Sequence, residues 1–245
     1  MPALQPAIDV RRSEERMATQ IGWLDSRHSF SFGPHYDPNN THFGLLLVSN
    51  HDIIKPETGF STHPHRDMEI VTWVLRGELE HKDSEGHKGL IHPGLAQRMS
   101  AGTGIFHSEM NATKGGDVEL VQMWVVPDTE KVRPAYMELD INGELAKGGL
   151  VPVASGQGHD AAISIRQDGA VLWAGRLKAG EKVRLPDAPF IHVFTAIGEI
   201  DLEGSGKLTA GDAARVTLTD GLTMTAGSQG AEVLVWEMHR LIQFG

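Results

Sequence analysis

The chain has 245 residues, with 32 acidic against 22 basic and a formal net charge of −10; with no basic run, it lacks the electrostatic footprint of a direct nucleic-acid binder. It contains no cysteine, which excludes disulfides, thiolate metal sites and cysteine nucleophiles, and it has no apolar stretch long enough to cross a membrane as a helix. The 40% hydrophobic fraction, with 28 glycines spread along the chain, points instead to a globular core with many turns, and without an apolar leader near the start a cytoplasmic protein is expected.

In chain order, the segment from Trp23 to Phe30 mixes polar and aromatic residues and reads as strand or irregular. HFGLLLVSNHDII (42–54) reads as a mostly buried strand followed by a turn. EIVTWVLRGELEHKD (69–83) is two β-rich pieces meeting near Arg76-Gly77-Glu78, and VELVQMWVVP (118–127) is a strand stopped by proline. Residues 128–150 are more polar, broken by Pro134 and Gly148-Gly149, and hold the expected border between a domain of residues 1–135 and one of 136–245. Strand-like runs then return: AAISIRQ, AVLWAGRL, FIHVFTAIG, ARVTLT and AEVLVWEMHRLI. Regular short strands separated by turn residues predict an all-β sandwich or barrel in each half.

A weak internal repeat supports the two-part reading. Gly59 precedes His63, His65, Glu69 and Gly77 by 4, 6, 10 and 18 residues; from Gly180 the same offsets reach Arg184, Pro186, Phe190 and Gly198. The glycines match while every candidate ligand is lost. Histidine follows the same asymmetry, with ten of 13 between His28 and His107.

His63 and His65 stand at i and i+2, so on a strand both rings face one side. His107 and Glu109 share parity in the same way, after the turn-forming Gly102 and Gly104. Two such pairs can meet across a barrel interior. Three imidazoles and a carboxylate suit Fe, Mn, Co, Ni, Cu or Zn. Glu69 has the parity of His65 and is open between a ligand and a supporting acid. His28 and His35 read as pocket wall or hydrogen-bonded core, His81 and His87 as a surface hairpin, and His92 as part of a turn. Ser108 faces away from its neighbours. Dinucleotide and phosphate loops, the His-Glu-x-x-His zinc motif and the Gly-x-Ser-x-Gly elbow are absent.

The run from Gly59 through His63-Pro64-His65-Arg66, Glu69 and Gly77 resembles the first cupin motif, and Gly102-x-Gly104-x-x-His107-x-x-x-Asn111 resembles the second, with Gly102 where many cupins have proline. Arg27-His28-Ser29-Phe30, HFGLLLVSNHD, HPHRDMEIVTWVLRGELEHKDSEGH and HSEMN resemble the pirin family, including its bacterial quercetinase-like members. The resemblance is dense over residues 20–127 and thinner beyond. It implies a bicupin of two tandem cupin (double-stranded β-helix) barrels, the second degenerate and metal-free. It implies His63, His65, His107 and Glu109 as ligands of a metal, usually Fe(II), and cleavage of a flavonol such as quercetin by dioxygen with release of carbon monoxide. Glu109, with Glu69 as the rival, would take the flavonol hydroxyl proton. Arg27, His28, Phe43 and Phe60, which lie in or near the family-like segments, are the expected walls of the pocket for a small aromatic substrate. The competing expectation is a metal-binding regulatory protein acting through protein partners.

Overall fold

The computed structural model describes residues 5–242. Among them the apolar runs form twenty strands. The first twelve are β1 (Ala7–Arg11), β2 (Met17–Ile21), β3 (Leu24–His28), β4 (Leu46–Ile54), β5 (Gly59–His65), β6 (Glu69–Arg76), β7 (Leu79–Asp83), β8 (Lys88–Ile91), β9 (Leu95–Ser100), β10 (Ile105–Asn111), β11 (Val118–Val125) and β12 (Ala135–Asp140). A single helical turn, α1 (Asn142–Leu145), leads into β13 (Val151–Ser155), β14 (Ile163–Ser164), β15 (Ala170–Leu177), β16 (Lys182–Arg184), β17 (Phe190–Leu202), β18 (Gly206–Thr209), β19 (Ala213–Thr217) and β20 (Thr223–Met238). No helix among the described residues is long and apolar enough to cross a membrane.

Three sheets result. A seven-stranded sheet runs β12-β9-β6-β11-β4-β3-β2 and faces a four-stranded sheet, β5-β10-β7-β8; a nine-stranded sheet runs β1-β19-β17-β20-β15-β13-β14, with β16 on β20 and β18 on β17. The two halves repeat one topology. The order β5-β10-β7-β8 reappears as β16, the start of β20, the end of β17 and β18; the order β9-β6-β11-β4-β3 reappears as β19, the start of β17, the end of β20, β15 and β13. Long β17 and β20 turn the corner through bulges at Thr195/Ile197 and Gly198/Ile200, and Gly198 has φ +76°. In the first half the corresponding corner is cut at Gly77, φ +80°, so β6 and β7 are separate strands.

The expected pair of closed barrels is not what the chain builds. No sheet returns to its first strand: the paths end at β12 and β2, at β5 and β8, and at β1 and β14. Each half is instead cupin-like and open. Closure depends on whether edge strands find each other in register, and a hydrophobic pattern carries no information on that.

Strand parity sorts β6 and β11 into two faces. Val71 and Trp73, with Val121 and Met123, pack against Leu172, Phe194, Leu234 and Trp236 of the second half. Ile70, Thr72 and Val74, with Leu120, Gln122 and Trp124, face the space between the seven- and four-stranded sheets. Both faces of β6 are therefore covered, which is why it reads as a continuous apolar run. The Trp73 indole donates to Glu232 Oε1 across the halves at 2.8 Å. The chain start is shared as well: β1 pairs with β19 of the second half. The expected border at 135/136 falls at the start of β12, whose pairing with β9 extends the first half's sheet to Asp140.

Candidate metal centre and its cavity

β5 and β10 are antiparallel neighbours, with His107 opposite His63. Their close approach needs Gly59, where any Cβ would collide with the Glu109 carbonyl. Nε2 of His63 lies 3.1 Å from Nε2 of His107, and the His65 ring centre is 4.8 Å from each of the other two. One ring nitrogen from each histidine lies within 4.8 Å of the others. Adjacent nitrogen ligands at about 2.1 Å from one ion would stand about 3 Å apart, so the donor set fits a divalent metal. Burial, then the neighbouring imidazoles, push His107 down to about 3 and His65 down to about 4. Both rings are therefore neutral at pH 7, the form that ligates.

Glu109 follows His107 by two residues on β10, past a register shift, and is almost fully buried. Gln122 Nε2 donates to its Oε2 at 2.7 Å and Thr72 Oγ1 to its Oε1 at 3.3 Å. It groups with His107 and His81, rather than with all three clustered histidines. Behind His107, Nδ1 faces His81 Nδ1 at 3.4 Å, and His81 Nε2 meets Asp83 Oδ2 at 3.3 Å. Burial opposes ionisation of Asp83, but the backbone N–H of His87 and the rings of His81 and His87 hold its carboxyl below the ordinary value. The β7–β8 hairpin exists as expected, but His81 is not on the surface: it is fully buried and stacked on Tyr136 at 4.9 Å. The available signal was parity, since His81 alternates inward with Leu79 and Asp83.

Glu69 is elsewhere. β5 ends at His65, the backbone turns at Asp67 with φ +45°, and Glu69 opens β6 in the other sheet, so counting parity onward from His65 does not apply. Its carboxylate, raised in pKa by burial, accepts from Ser100 Oγ at 2.9 Å and the Arg166 N–H at 3.1 Å, with Arg98 Nε at 3.8 Å. It does not line the cavity.

A cavity of about 430 Å³ opens from His63, His65 and Glu109 across β11, β4 and β3. Two aromatic pairs flank it, Trp23 against Phe60 at 5.3 Å and Phe32 against Trp124 at 5.6 Å. Of the four expected wall residues, His28 and Phe60 line it; Arg27 and Phe43 do not. Arg27 has the opposite parity to Ser26 and His28 on β3 and lies 3.5 Å from Asp25. Phe43 packs edge-on against Phe190 at 5.8 Å, in the interface between halves. Ser26, Asn50, Asp52 and Gln122, none of them expected from the sequence, form a polar wall beside Trp124. Each alternates inward, yet which face of β4 and β11 meets the cavity is decided only by packing of the other face on the second half. Burial pushes the Asp52 carboxyl up to about 6, partly countered by the Ser26 hydroxyl.

Residues 10–125 match the family model described as Pirin, and residues 152–238 match the quercetinase C-terminal cupin domain. A Mycobacterium tuberculosis protein named among the quercetin 2,3-dioxygenases is 55% identical over 233 residues, 95% of each chain. The quercetin 2,3-dioxygenase of Escherichia coli K12 is 35% identical over 232 residues, 94% of this chain and 98% of its own. The crystal structure of E. coli bacterial pirin YhhW in complex with nickel(II) superposes with a TM-score of 0.87 at 33% identity, covering 96% of this chain and 100% of that one. With a clustered His/Glu site between two cupin-like sheets and relatives matched over nearly its whole length, this chain belongs to the pirin family, among its quercetin 2,3-dioxygenase-like members.

Proposed function

We propose that the chain is an iron-dependent dioxygenase that opens the heterocyclic ring of a flavonol such as quercetin, taking up dioxygen and releasing carbon monoxide. The observation that carries this reading is the placement of three clustered imidazoles and a buried carboxylate at one end of an aromatic-walled cavity. His63, His65 and His107 would hold the metal, with Glu109 as the fourth ligand. The relatives' names and the nickel(II) bound by YhhW support a divalent ion; the N/O donors suit iron and equally Mn, Co, Ni, Cu or Zn. When bound, iron supplies Lewis acidity toward the flavonol oxygens and electron transfer to dioxygen.

The chain's own residues do the rest. Glu109 Oε1, which receives the longer bond from Thr72, accepts the 3-hydroxyl proton, while Gln122 anchors Oε2. His81 and Asp83 fix the ring orientation of His107. Trp23, Phe60, Phe32 and Trp124 bracket a planar ring system and keep water from the activated flavonol. Among the described residues the second half offers no cluster of three ligating side chains, so one ion per chain is expected.

The test is oxygen consumption and carbon monoxide release by iron-loaded protein supplied with quercetin. Stoichiometric appearance of both supports the reading. An iron-replete protein that consumes no oxygen with any flavonol overturns it, and would favour a metal-bound protein acting through partners.

A further inference from the structure

The wall of the cavity away from the metal is short of donors. Asp52 lies on β4 with its side chain in the cavity wall and is almost fully buried. Ser26 Oγ donates to its Oδ1; among the described residues no protein donor meets Oδ2, and no cation lies within ion-pair contact, Arg16 and His51 attracting the carboxylate only from farther off. A buried carboxylate ordinarily collects several donors or a cation. Asn50, two residues earlier on the same face of β4, is also buried, and its Oδ1 has no partner. Across the sheet, Asp52 stands opposite Ser26 and Leu120, and Asn50 opposite His28 and Gln122. Gln122 is the residue that holds Glu109. Strands lie about 4.8 Å apart, so Asn50 and Asp52 sit about one strand beyond β11, within the span of a fused aromatic ring system reaching from the metal end.

We propose that Asp52 is a specificity-determining residue whose Oδ2 accepts a hydrogen bond from a ring hydroxyl of the substrate remote from the metal-binding hydroxyl, so that the cavity selects polyhydroxylated planar aromatics over those bearing only the metal-binding group. The inference rests on the flavonol reading of the same site. The aromatic pairs clamp the ring faces, Ser26 orients the carboxylate, and the substrate supplies the missing donor. No bond is made or broken at Asp52.

The experiment compares quercetin with 3-hydroxyflavone, which keeps only the metal-binding hydroxyl, on wild type, Asp52→Asn and Ser26→Ala, each checked for equal metal content. KM is read from oxygen uptake, and Kd, without oxygen, from quenching of tryptophan fluorescence. Losing a hydrogen bond to a charged acceptor should raise the ratio of quercetin to 3-hydroxyflavone KM, and of Kd, by about 10- to 100-fold in Asp52→Asn. Ser26→Ala, which leaves the carboxylate in place but unoriented, should shift both ratios the same way by less. Equal changes for the two compounds, or none, overturn the proposal. If wild type consumes no oxygen with either compound, the dioxygenase reading fails, while the Kd ratio still decides whether Asp52 reads the remote hydroxyl.

Discussion

The two halves share strand order but fill their interiors with opposite chemistry. In the first half Glu109 stands opposite His81 and Asn111 opposite Leu79; in the second, Met224 stands opposite Leu202 and Ala226 opposite Ile200. Two residues before Glu109 is His107; two before Met224 is Leu222. Arg184, at the repeat position of His63, points to solvent and pairs with Asp187 at 2.8 Å. The second interior is a continuous aliphatic cluster including Ile200, Leu202, Leu208, Val216, Leu222 and Met224. The same backbone can therefore be closed by packing or held open by a polar centre. Burying aliphatic groups contributes roughly 0.8 kcal/mol per CH2, whereas the first half keeps a cavity and several buried polar groups that need each other as partners.

The largest effect is expected at Glu109, which has Met224 as its counterpart in the second half. Glu109→Gln keeps the size and an oxygen donor but removes charge and basicity, and turnover should fall by about 10²- to 10⁴-fold with weakened iron retention; oxygen uptake and elemental analysis of the same preparation check both. Next in size is the support behind His107, which has no counterpart where Leu202 replaces His81. Asp83→Asn should lower metal affinity by about 10- to 100-fold, measured by competition with a chelator, and unchanged affinity would reduce the His81–Asp83 pair to core packing.

Asp52 sharpens the cost of keeping a polar interior. Its folded pKa of about 6 lies above the ordinary value of 3.8 for an aspartate in the unfolded chain, so between these values the folded state binds more protons than the unfolded state. The associated stability is present below about pH 4 and is lost as pH rises through about 6. The difference between the two values corresponds to about 3 kcal/mol. Asp52→Asn should remove that pH dependence, so its gain over wild type in urea unfolding grows from pH 4 to pH 7; parallel curves would contradict it. The smallest effect on chemistry is expected at Glu69, bonded to Ser100 and Arg166 away from the cavity. Glu69→Gln should retain iron and most turnover while losing about 1–3 kcal/mol of stability, read from the denaturation midpoint.

The candidate ligands were legible because strand parity is local: His63 with His65, and His107 with Glu109, each face one way whatever the rest of the chain does. The repeat was legible through Gly59, Gly77, Gly180 and Gly198, since Gly77, Gly180 and Gly198 all take positive φ and Gly59 allows β10 to approach. Parity failed for Glu69 because it does not survive the turn at Asp67. Phe43 was misplaced because an aromatic beside a strand suits an interface with Phe190 as well as a pocket. Asn50, Asp52 and Gln122 were silent until the β3–β4–β11 register set them side by side, and open rather than closed sheets follow from edges that no periodicity reports.

The contrast between the halves implies that metal is held by the histidine cluster of the first, whose counterpart in the second is aliphatic. Metal per chain, by elemental analysis of wild type and of His107→Leu, which copies the residue at 222, tests this most directly. One transition metal per chain is expected in wild type and close to none in the variant, with the variant still folded. Two metals in wild type, or an undiminished one in His107→Leu, would contradict it.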